Sequence, residues 1–145
     1  YVLLPGETQP PAGLQQALRN ANRLQDITME ELRPGRTGNE VLASALARMR
    51  SEGITGTLYS HPIGKHGHGA GPLVGRWDAQ DGVPGSGEAR VVANMWYSIE
   101  LQASTPVPEW GGQLVRMAQE EDAIIGPDGR IRWALRRQSN LFLVQ

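Results

Sequence analysis

The sequence predicts an α+β domain in which two helices pack on one face of a curved, mainly antiparallel sheet. Two helical patterns come first, with apolar residues recurring at intervals of three to five between residues 14 and 32, and again between 41 and 49. From residue 54 onward, short apolar or alternating runs are separated by segments rich in Gly and Pro, which is typical of strands and turns. Helices followed by strands favour an α+β layer. Because the chain has 145 residues, we expect residues 1–145 to form one domain.

The two helices have recognisable ends. Pro34-Gly35 is expected to terminate the first helix, which follows Pro10-Pro11. The second begins at a capping box, in which Thr37 and Glu40 can satisfy each other's free backbone donors, and Gly53 is a suitable C-terminal glycine. The predicted buried stripe of the first helix consists of Leu14, Leu18, Ala21, Leu24, Ile27 and Leu32.

The rest of the chain reads as strands joined by loops. Residues 72–90 are rich in Gly, Pro and Asp and predict a long surface excursion, whereas Pro106 is expected to break a strand. Residues 1–4 resemble the end of a strand with nothing before it, which predicts that the chain begins in the middle of a larger domain. The predicted strands cover residues 54–60, 91–104, 113–125, 131–134 and 141–144.

Composition limits the classes of partner. The net charge of −1, from 14 basic and 15 acidic residues, provides no bulk attraction to nucleic acid or to an anionic membrane. Because the chain has no cysteine, disulfides and thiolate ligands are excluded. No apolar run reaches the roughly 18 residues that a membrane span needs, and no secretory signal opens the chain. We therefore expect a cytoplasmic protein that binds neither nucleic acid nor membrane.

All three histidines lie in one short segment that follows the predicted strand at 54–60. His61, His66 and His68 are surrounded by glycines and prolines, and none lies on an apolar periodic face. Histidine is the commonest metal ligand and the side chain best suited to proton transfer near neutral pH. The zinc-protease pattern His-Glu-x-x-His is absent. The segment is therefore predicted to be a loop that carries metal-binding or catalytic histidines.

Two carboxylates lie inside strand-like segments. Glu100 lies inside the alternating segment 91–104, between Ile99 and Leu101, and Val115, Met117 and Gln119 alternate toward Glu121 in the next strand. A carboxylate in such a place is costly to bury unless it is paired or binds a metal. If the two strands pair, both acids with one histidine would suit Mn²⁺, Co²⁺, Zn²⁺ or Fe²⁺. Paired carboxylates are also typical of glycosidases, but that interpretation leaves the histidines unused.

These pieces, in this order, resemble the pita-bread metallopeptidases: methionine aminopeptidase, aminopeptidase P, prolidase and creatinase. The family has His-Pro-x-Gly, a second histidine seven residues later, a strand ending in Ile-Glu, and Glu-Asp before an Asp-Gly turn. A Pro-Gly turn and a short capped helix precede them. The resemblance covers residues 30–130 and is strongest to Xaa-Pro dipeptidases. The matching segments are His61-Pro62-Ile63-Gly64, His68, Ser98-Ile99-Glu100, Glu121-Asp122-Ala123-Ile124 and Asp128-Gly129.

The resemblance implies roles for these residues. It makes His61, Glu100 and Glu121 metal ligands, with Glu100 also a candidate general base and Glu121 bridging two divalent ions (Mn, Co or Zn). It makes His68 a substrate-facing residue that assists proton transfer. In a rival alignment His68 is the ligand, because Gly-His-Gly-x-Gly also fits residues 67–71. We prefer His61, since only that choice supplies a histidine seven residues on. Independently of the resemblance, Trp77, Trp96 and Trp110 are candidate walls of a pocket for an apolar substrate.

The resemblance also implies what this chain lacks. The family uses two further Asp ligands from an upstream hairpin, and they are absent here; Leu101 also stands where the family usually has Pro. We therefore expect the C-terminal portion of a larger pita-bread catalytic domain, inactive by itself and prone to form homo-oligomers. The expected parent protein is an Xaa-Pro dipeptidase-like metallopeptidase with peptide or dipeptide substrates. The alternatives are a non-catalytic binding or scaffold module and a creatinase-like hydrolase of small amides.

Overall fold

The structure, a computed structural model, describes residues 1–145 and confirms the predicted fold class. Two helices lead into six strands that form one sheet. Neither helix has the length and hydropathy that a membrane crossing requires. The elements are α1 (Ala12–Glu31), α2 (Gly38–Ser51), β1 (Thr55–Leu58), β2 (His61–Gly64), β3 (Gly67–His68), β4 (Met95–Val107), β5 (Gln113–Ile125) and β6 (Ile131–Trp133).

The sheet is built around β4. Its order is β3-β2-β4-β5-β6, every pair is antiparallel, and β1 also pairs with β4. Strands β1 and β2 follow one another along the same edge of β4 in one continuous register, from Thr55 opposite Ser104 to Pro62 opposite Tyr97. On the other side, β4 and β5 form a long hairpin. This arrangement brings the middle of β2, β4 and β5 side by side.

The hydrophobic core lies between the helices and one face of the sheet. In β4, Tyr97, Ile99 and Leu101 are fully buried and belong to the same cluster as Leu24 and Ile27 of α1. Because side chains alternate along a strand, the residues between them point away from the helices. The alternation read from the sequence is therefore confirmed in β4, and its polar members lie on the open face of the sheet.

The two helices begin in different ways. At α2 the predicted capping box is confirmed, since the Glu40 N–H donates to the Thr37 hydroxyl (3.1 Å) and the Thr37 N–H donates to the Glu40 carboxylate (2.7 Å). At α1 no side chain near Pro11 caps the helix. The carboxylate of Glu109, from the loop after β4, accepts the Gly13 N–H instead, at 3.2 Å. A residue nearly one hundred positions away thus completes α1.

The histidine segment is a hairpin rather than a loop. β2 and β3 pair through Ile63 and His68, and the Gly69 N–H donates to the Pro62 carbonyl (2.7 Å). The prediction of a loop was wrong because glycines and prolines also occur in short edge strands, where few ladder bonds are needed. The hairpin therefore holds its histidines on a paired backbone.

Other boundaries differ from the prediction at the ends of strands. Strand β4 continues through Pro106 to Val107, because the proline φ is compatible with an extended backbone and β5 pairs alongside. Residues 1–4 and 141–144 form no strand and contribute only an isolated bridge between Val2 and Val144. Both segments lack a neighbouring strand long enough to form a ladder.

Candidate metal centre

A histidine and two carboxylates meet on the open face of the sheet. His61 of β2, Glu100 of β4 and Glu120 of β5 each offer one ligand atom, and these atoms lie within 4.8 Å of one another. The register explains the meeting: His61 is opposite Ser98, and Glu100 is opposite Glu120. Residues two apart on β4 share a face, so all three side chains project to the same side.

His61 has the geometry of a metal ligand. The residue is only 7% exposed, and its Nδ1 lies 3.0 Å from the Pro62 carbonyl oxygen. Its Nε2 has no hydrogen-bond partner and lies 3.6 Å from Glu100 Oε2. A metal-binding histidine commonly donates one ring N–H to a backbone carbonyl, which leaves the other nitrogen for the ion. The buried, unpartnered Nε2 therefore fits a cation beside the two carboxylates.

Glu100 is held in place by the backbone of the neighbouring strand. The Tyr59 N–H donates to the Glu100 carbonyl (3.1 Å), as in an ordinary ladder. The fully buried hydroxyl of Ser60 also donates to that carbonyl (3.0 Å) and accepts the Glu100 N–H (3.1 Å). The backbone of Ser60 forms an isolated antiparallel β-bridge with Val74. The serine hydroxyl thus replaces a ladder bond where β1 passes into β2.

The electrostatics of the site favour a bound cation. Burial raises the pKa of Glu100, the nearby charge of Glu120 raises it further, and the two histidines His61 and His68 act in the opposite direction. Glu120 is oriented by Ser98, whose hydroxyl donates to its Oε1 at 3.0 Å. Like charges directly across a strand pair are unfavourable. A divalent ion between the two carboxylates would remove that repulsion.

His68 lies over His61 at the opening of the site. The ring centroids are 4.0 Å apart and the ring planes are inclined by 33°. Unlike His61, His68 is exposed, and it does not belong to the group of three ligand atoms. His66 is at the exposed turn of the hairpin. The structure therefore places one buried and one exposed histidine together.

A cleft of about 500 Å³ opens onto these residues. Trp77, which is 76% exposed, stands at its edge, whereas the other two tryptophans that the sequence suggested, Trp96 and Trp110, do not line it. Its lining includes Tyr59, His61, His68, Trp77, Glu100 and Arg116.

Comparison with protein families decides the assignment. A model of metallopeptidase family M24 matches residues 2–126. The chain belongs to this family. The resemblance inferred from the motifs is thereby confirmed, and so is the pita-bread fold.

Solved structures with the same fold support this M24 assignment. The chain is similar to an X-Pro aminopeptidase from Thermotoga maritima MSB8 (TM-score 0.64, 15% identity, 94% of this chain and 35% of that chain covered). It is also similar to a dipeptidase from Pyrococcus horikoshii OT3 (0.61, 18%, 90% and 33%) and to dipeptidase PepE from Mycobacterium ulcerans (0.54, 20%, 94% and 33%). The chain spans about a third of the length of these proteins. No curated protein matches the chain.

In this member of family M24, Glu121 lies on the other face of the sheet. It is opposite Ile99, and its Oε1 accepts the Gln138 N–H at 3.2 Å. The motif predicts that Glu121 meets His61 and Glu100. The structure does not bring these three residues together. The side-chain period of a strand is two, so adjacent residues cannot both face the site.

The sequence contained a signal for Glu120. Glu121 follows Val115, Met117 and Gln119 in the alternation of β5, and these positions face the helices. Glu120 belongs to the other alternation, as Glu100 does in β4. Ser60, Tyr59 and Arg116 carry no comparable signal, because only the pairing of the strands brings them to the site. The ligand set itself stays a prediction.

Proposed function

We propose that the whole protein is a metal-dependent peptidase of the Xaa-Pro dipeptidase type, and that His61, Glu100 and Glu120 hold a divalent ion. One observation carries the proposal: the buried Nε2 of His61 has no partner and faces two carboxylates. Membership of family M24 supports peptidase chemistry. Glu121, the ligand that the motif indicates, is the alternative to Glu120.

The donor set indicates the class of metal. One imidazole nitrogen with carboxylate oxygens suits Mn²⁺, Co²⁺ or Zn²⁺. Such an ion, when bound, supplies Lewis acidity that polarises a carbonyl and lowers the pKa of water. The resemblance implies a second ion and two Asp ligands that this chain does not contain. We therefore expect the 145-residue chain alone to be inactive, since its three ligands would hold an ion weakly.

The remaining site residues have distinct tasks in this proposal. Burial raises the pKa of Glu100, which makes this carboxylate a stronger proton acceptor and a candidate general base. His68, exposed above His61, faces the cleft from which a peptide would approach and assists proton transfer. Trp77 offers an apolar wall at the edge of the cleft. The substrate and the cytoplasmic location also belong to the proposal.

Metal content and peptide hydrolysis of the whole protein test the proposal together. The protein, loaded with Mn²⁺, Co²⁺ or Zn²⁺, should hydrolyse Xaa-Pro dipeptides at ordinary enzyme rates, on the order of 1–10³ per second. Stoichiometric metal with no hydrolysis of any peptide would overturn it. In that case, turnover of a small amide such as creatine would favour the creatinase-like alternative, and no turnover at all the scaffold module.

A further inference from the structure

Ser60 is a fully buried polar residue where β1 passes into β2. It precedes His61 directly in the chain, and its hydroxyl makes two hydrogen bonds to the backbone of Glu100. The hydroxyl donates to the Glu100 carbonyl (3.0 Å) and accepts the Glu100 N–H (3.1 Å). Two of the three candidate ligands are therefore joined through this one residue.

The carbonyl of Ser60 binds the segment that forms one wall of the cleft. It accepts the N–H of the buried Val74 at 2.9 Å. Leu73 and Gly75, on either side of Val74, line the cleft. Ser60 thus ties a wall of the cleft to the same backbone that holds the candidate ligands.

The hydroxyl of Ser60 takes a place that a backbone carbonyl normally fills. In an antiparallel ladder, a hydrogen-bonded pair of residues exchanges both N–H···O bonds. The Tyr59 N–H donates to the Glu100 carbonyl (3.1 Å) in this way, but the Glu100 N–H donates to the Ser60 hydroxyl. A side chain without a hydroxyl would leave that N–H unpaired inside the sheet, which is costly. The hydroxyl therefore fixes the backbone from which the Glu100 carboxylate projects.

We propose that Ser60 is a positioning residue of the metal centre, whose hydroxyl sets the backbone of Glu100 relative to His61; this inference rests on the proposed function. His61 Nε2 lies 3.6 Å from Glu100 Oε2, and bonds from such ligands to an ion such as Zn²⁺ are about 2.0–2.2 Å long. A small displacement of either backbone therefore changes whether one ion can bind both atoms. Ser60 acts through the two ligands and contacts neither the ion nor the substrate.

The test measures Mn²⁺ affinity, local protection of Glu100 and global stability in the whole protein. The measurements are calorimetric titration of the metal-free protein with Mn²⁺, amide hydrogen exchange at Glu100 without metal, and the urea midpoint. Ser60→Ala removes the hydroxyl, whereas Ser60→Thr keeps it. Thr105→Val is the matched control, because it removes another buried hydroxyl, near the end of β4, which accepts the Asn20 side-chain N–H at 2.9 Å.

We expect Ser60→Ala to weaken Mn²⁺ binding by about 10- to 100-fold, the usual contribution of a residue that orients a metal ligand, and to speed exchange of the Glu100 amide. Ser60→Thr should resemble the wild type in both measurements. Thr105→Val should lower the urea midpoint without weakening Mn²⁺ binding, which separates positioning from general stability. Unchanged Mn²⁺ affinity in Ser60→Ala, or an equal loss in Thr105→Val, would overturn the inference.

Two further outcomes are informative. If Ser60→Ala does not fold, Ser60→Thr carries the test, and Mn²⁺ binding about tenfold weaker in folded Ser60→Thr would overturn the inference. If the wild-type protein binds no Mn²⁺, the proposed metal site fails. Faster Glu100 exchange in Ser60→Ala would then still uphold the role of the hydroxyl in setting this backbone, and unchanged exchange would refute that role as well.

Discussion

His61 and His68 share one hairpin but occupy opposite environments. The ring of His61 is buried with Nε2 turned toward Glu100, whereas the ring of His68 is exposed above it. Burial without a partner makes the first suited to a cation, and access to the cleft makes the second suited to a substrate. We therefore expect substitution of His61 and substitution of His68 to have different effects.

We expect His61→Ala in the whole protein to abolish stable metal binding, and His68→Ala to leave the metal content intact. Loss of His68 should lower turnover by roughly 10²–10⁴-fold, the usual contribution of a proton-transfer group. Metal analysis and steady-state kinetics measure the two effects. If His68→Ala removes the metal and His61→Ala does not, the rival alignment, with His68 as the ligand, is correct.

Glu120→Gln should weaken metal binding, whereas Glu121→Gln should not. The two residues are adjacent and chemically identical, so each is the control for the other; only the face of β5 differs. Glu121→Gln should loosen the segment around Gln138, whose N–H the carboxylate accepts. Calorimetric titration with Mn²⁺ decides between them, and loss of metal in Glu121→Gln alone would restore the motif-based assignment.

At the scale of elements, the N-terminus of one helix is capped by neighbouring residues and that of the other by a residue distant in the sequence. α2 carries its own capping box, while α1 depends on Glu109 from the loop between β4 and β5. The close approach at α1 leaves no room for a side chain on residue 13, because a Cβ on Gly13 would lie 2.7 Å from Glu109 Oε2. Folding of α1 is therefore coupled to formation of the β4–β5 hairpin, whereas α2 has its own start signal.

Thr37→Ala should destabilise the chain by about 1 kcal/mol, because it removes the hydroxyl that accepts the Glu40 N–H. Urea unfolding followed by circular dichroism would give the difference in free energy of unfolding. Thr8→Ala is the matched control, since Thr8 is exposed and lies in a bend outside the helices. An equal effect of both substitutions would contradict a capping role for Thr37.

The arginine–glutamate pairs between the two helices should make the free energy of unfolding depend on pH. A hydrogen bond from Arg48 lowers the pKa of Glu30, and one from Arg23 lowers the pKa of Glu52, below the ordinary value of 4.5. A lowered pKa in the folded state means that stabilisation is complete above about pH 4.5 and is lost as the pH falls through the folded-state values. Burial raises the pKa of Glu100, which acts with the opposite sign.

We therefore expect the urea midpoint to fall as the pH drops below about 4.5, with a smaller fall in Arg48→Met, which lacks the partner of Glu30. Arg130→Met is the control, because the ion-pair partner of Arg130 is Asp128 rather than Glu30 or Glu52 and 89% of its side chain is exposed. Indistinguishable pH profiles for Arg48→Met and the wild type would contradict this account.

At the scale of the whole molecule, one sheet edge stands open. Strand β6 covers β5 only at Ala123–Ile125, so residues 113–121 of β5 have β4 as their only strand neighbour. Leu114, near the start of this stretch, is 68% exposed. An uncovered edge of this length is a template for another strand. The prediction of a homo-oligomer has this edge as its physical basis.

We expect the 145-residue chain at micromolar concentration to sediment as a species larger than its 15.8 kDa. A twofold dimer would place the same edge of β5 against its copy. Replacing Leu114 with Lys should reduce this association, since edge lysines oppose strand pairing, while Leu135→Lys, at another exposed leucine, should not. A monodisperse monomer would contradict the prediction.

Local signals in the sequence were enough for much of the fold and part of the site. The capping box of Thr37 and Glu40 predicts where α2 begins, and the alternation around Ile99 predicts which side of β4 faces the helices. His61 and Glu100 stand out because histidine among glycines, and a carboxylate in an apolar strand, each need a chemical reason. All of these depend on neighbours within a few residues.

Tertiary structure decided what depends on register and on distant pairing. Which of Glu120 and Glu121 lies on the same face as Glu100 depends on the alignment of β5 with β4, because a shift of one residue moves every side chain to the other face. Glu109 caps α1 only once the hairpin has formed, and Arg116 enters the cleft only through β5. These contacts join residues that are far apart in the chain, and no local sequence pattern predicts them.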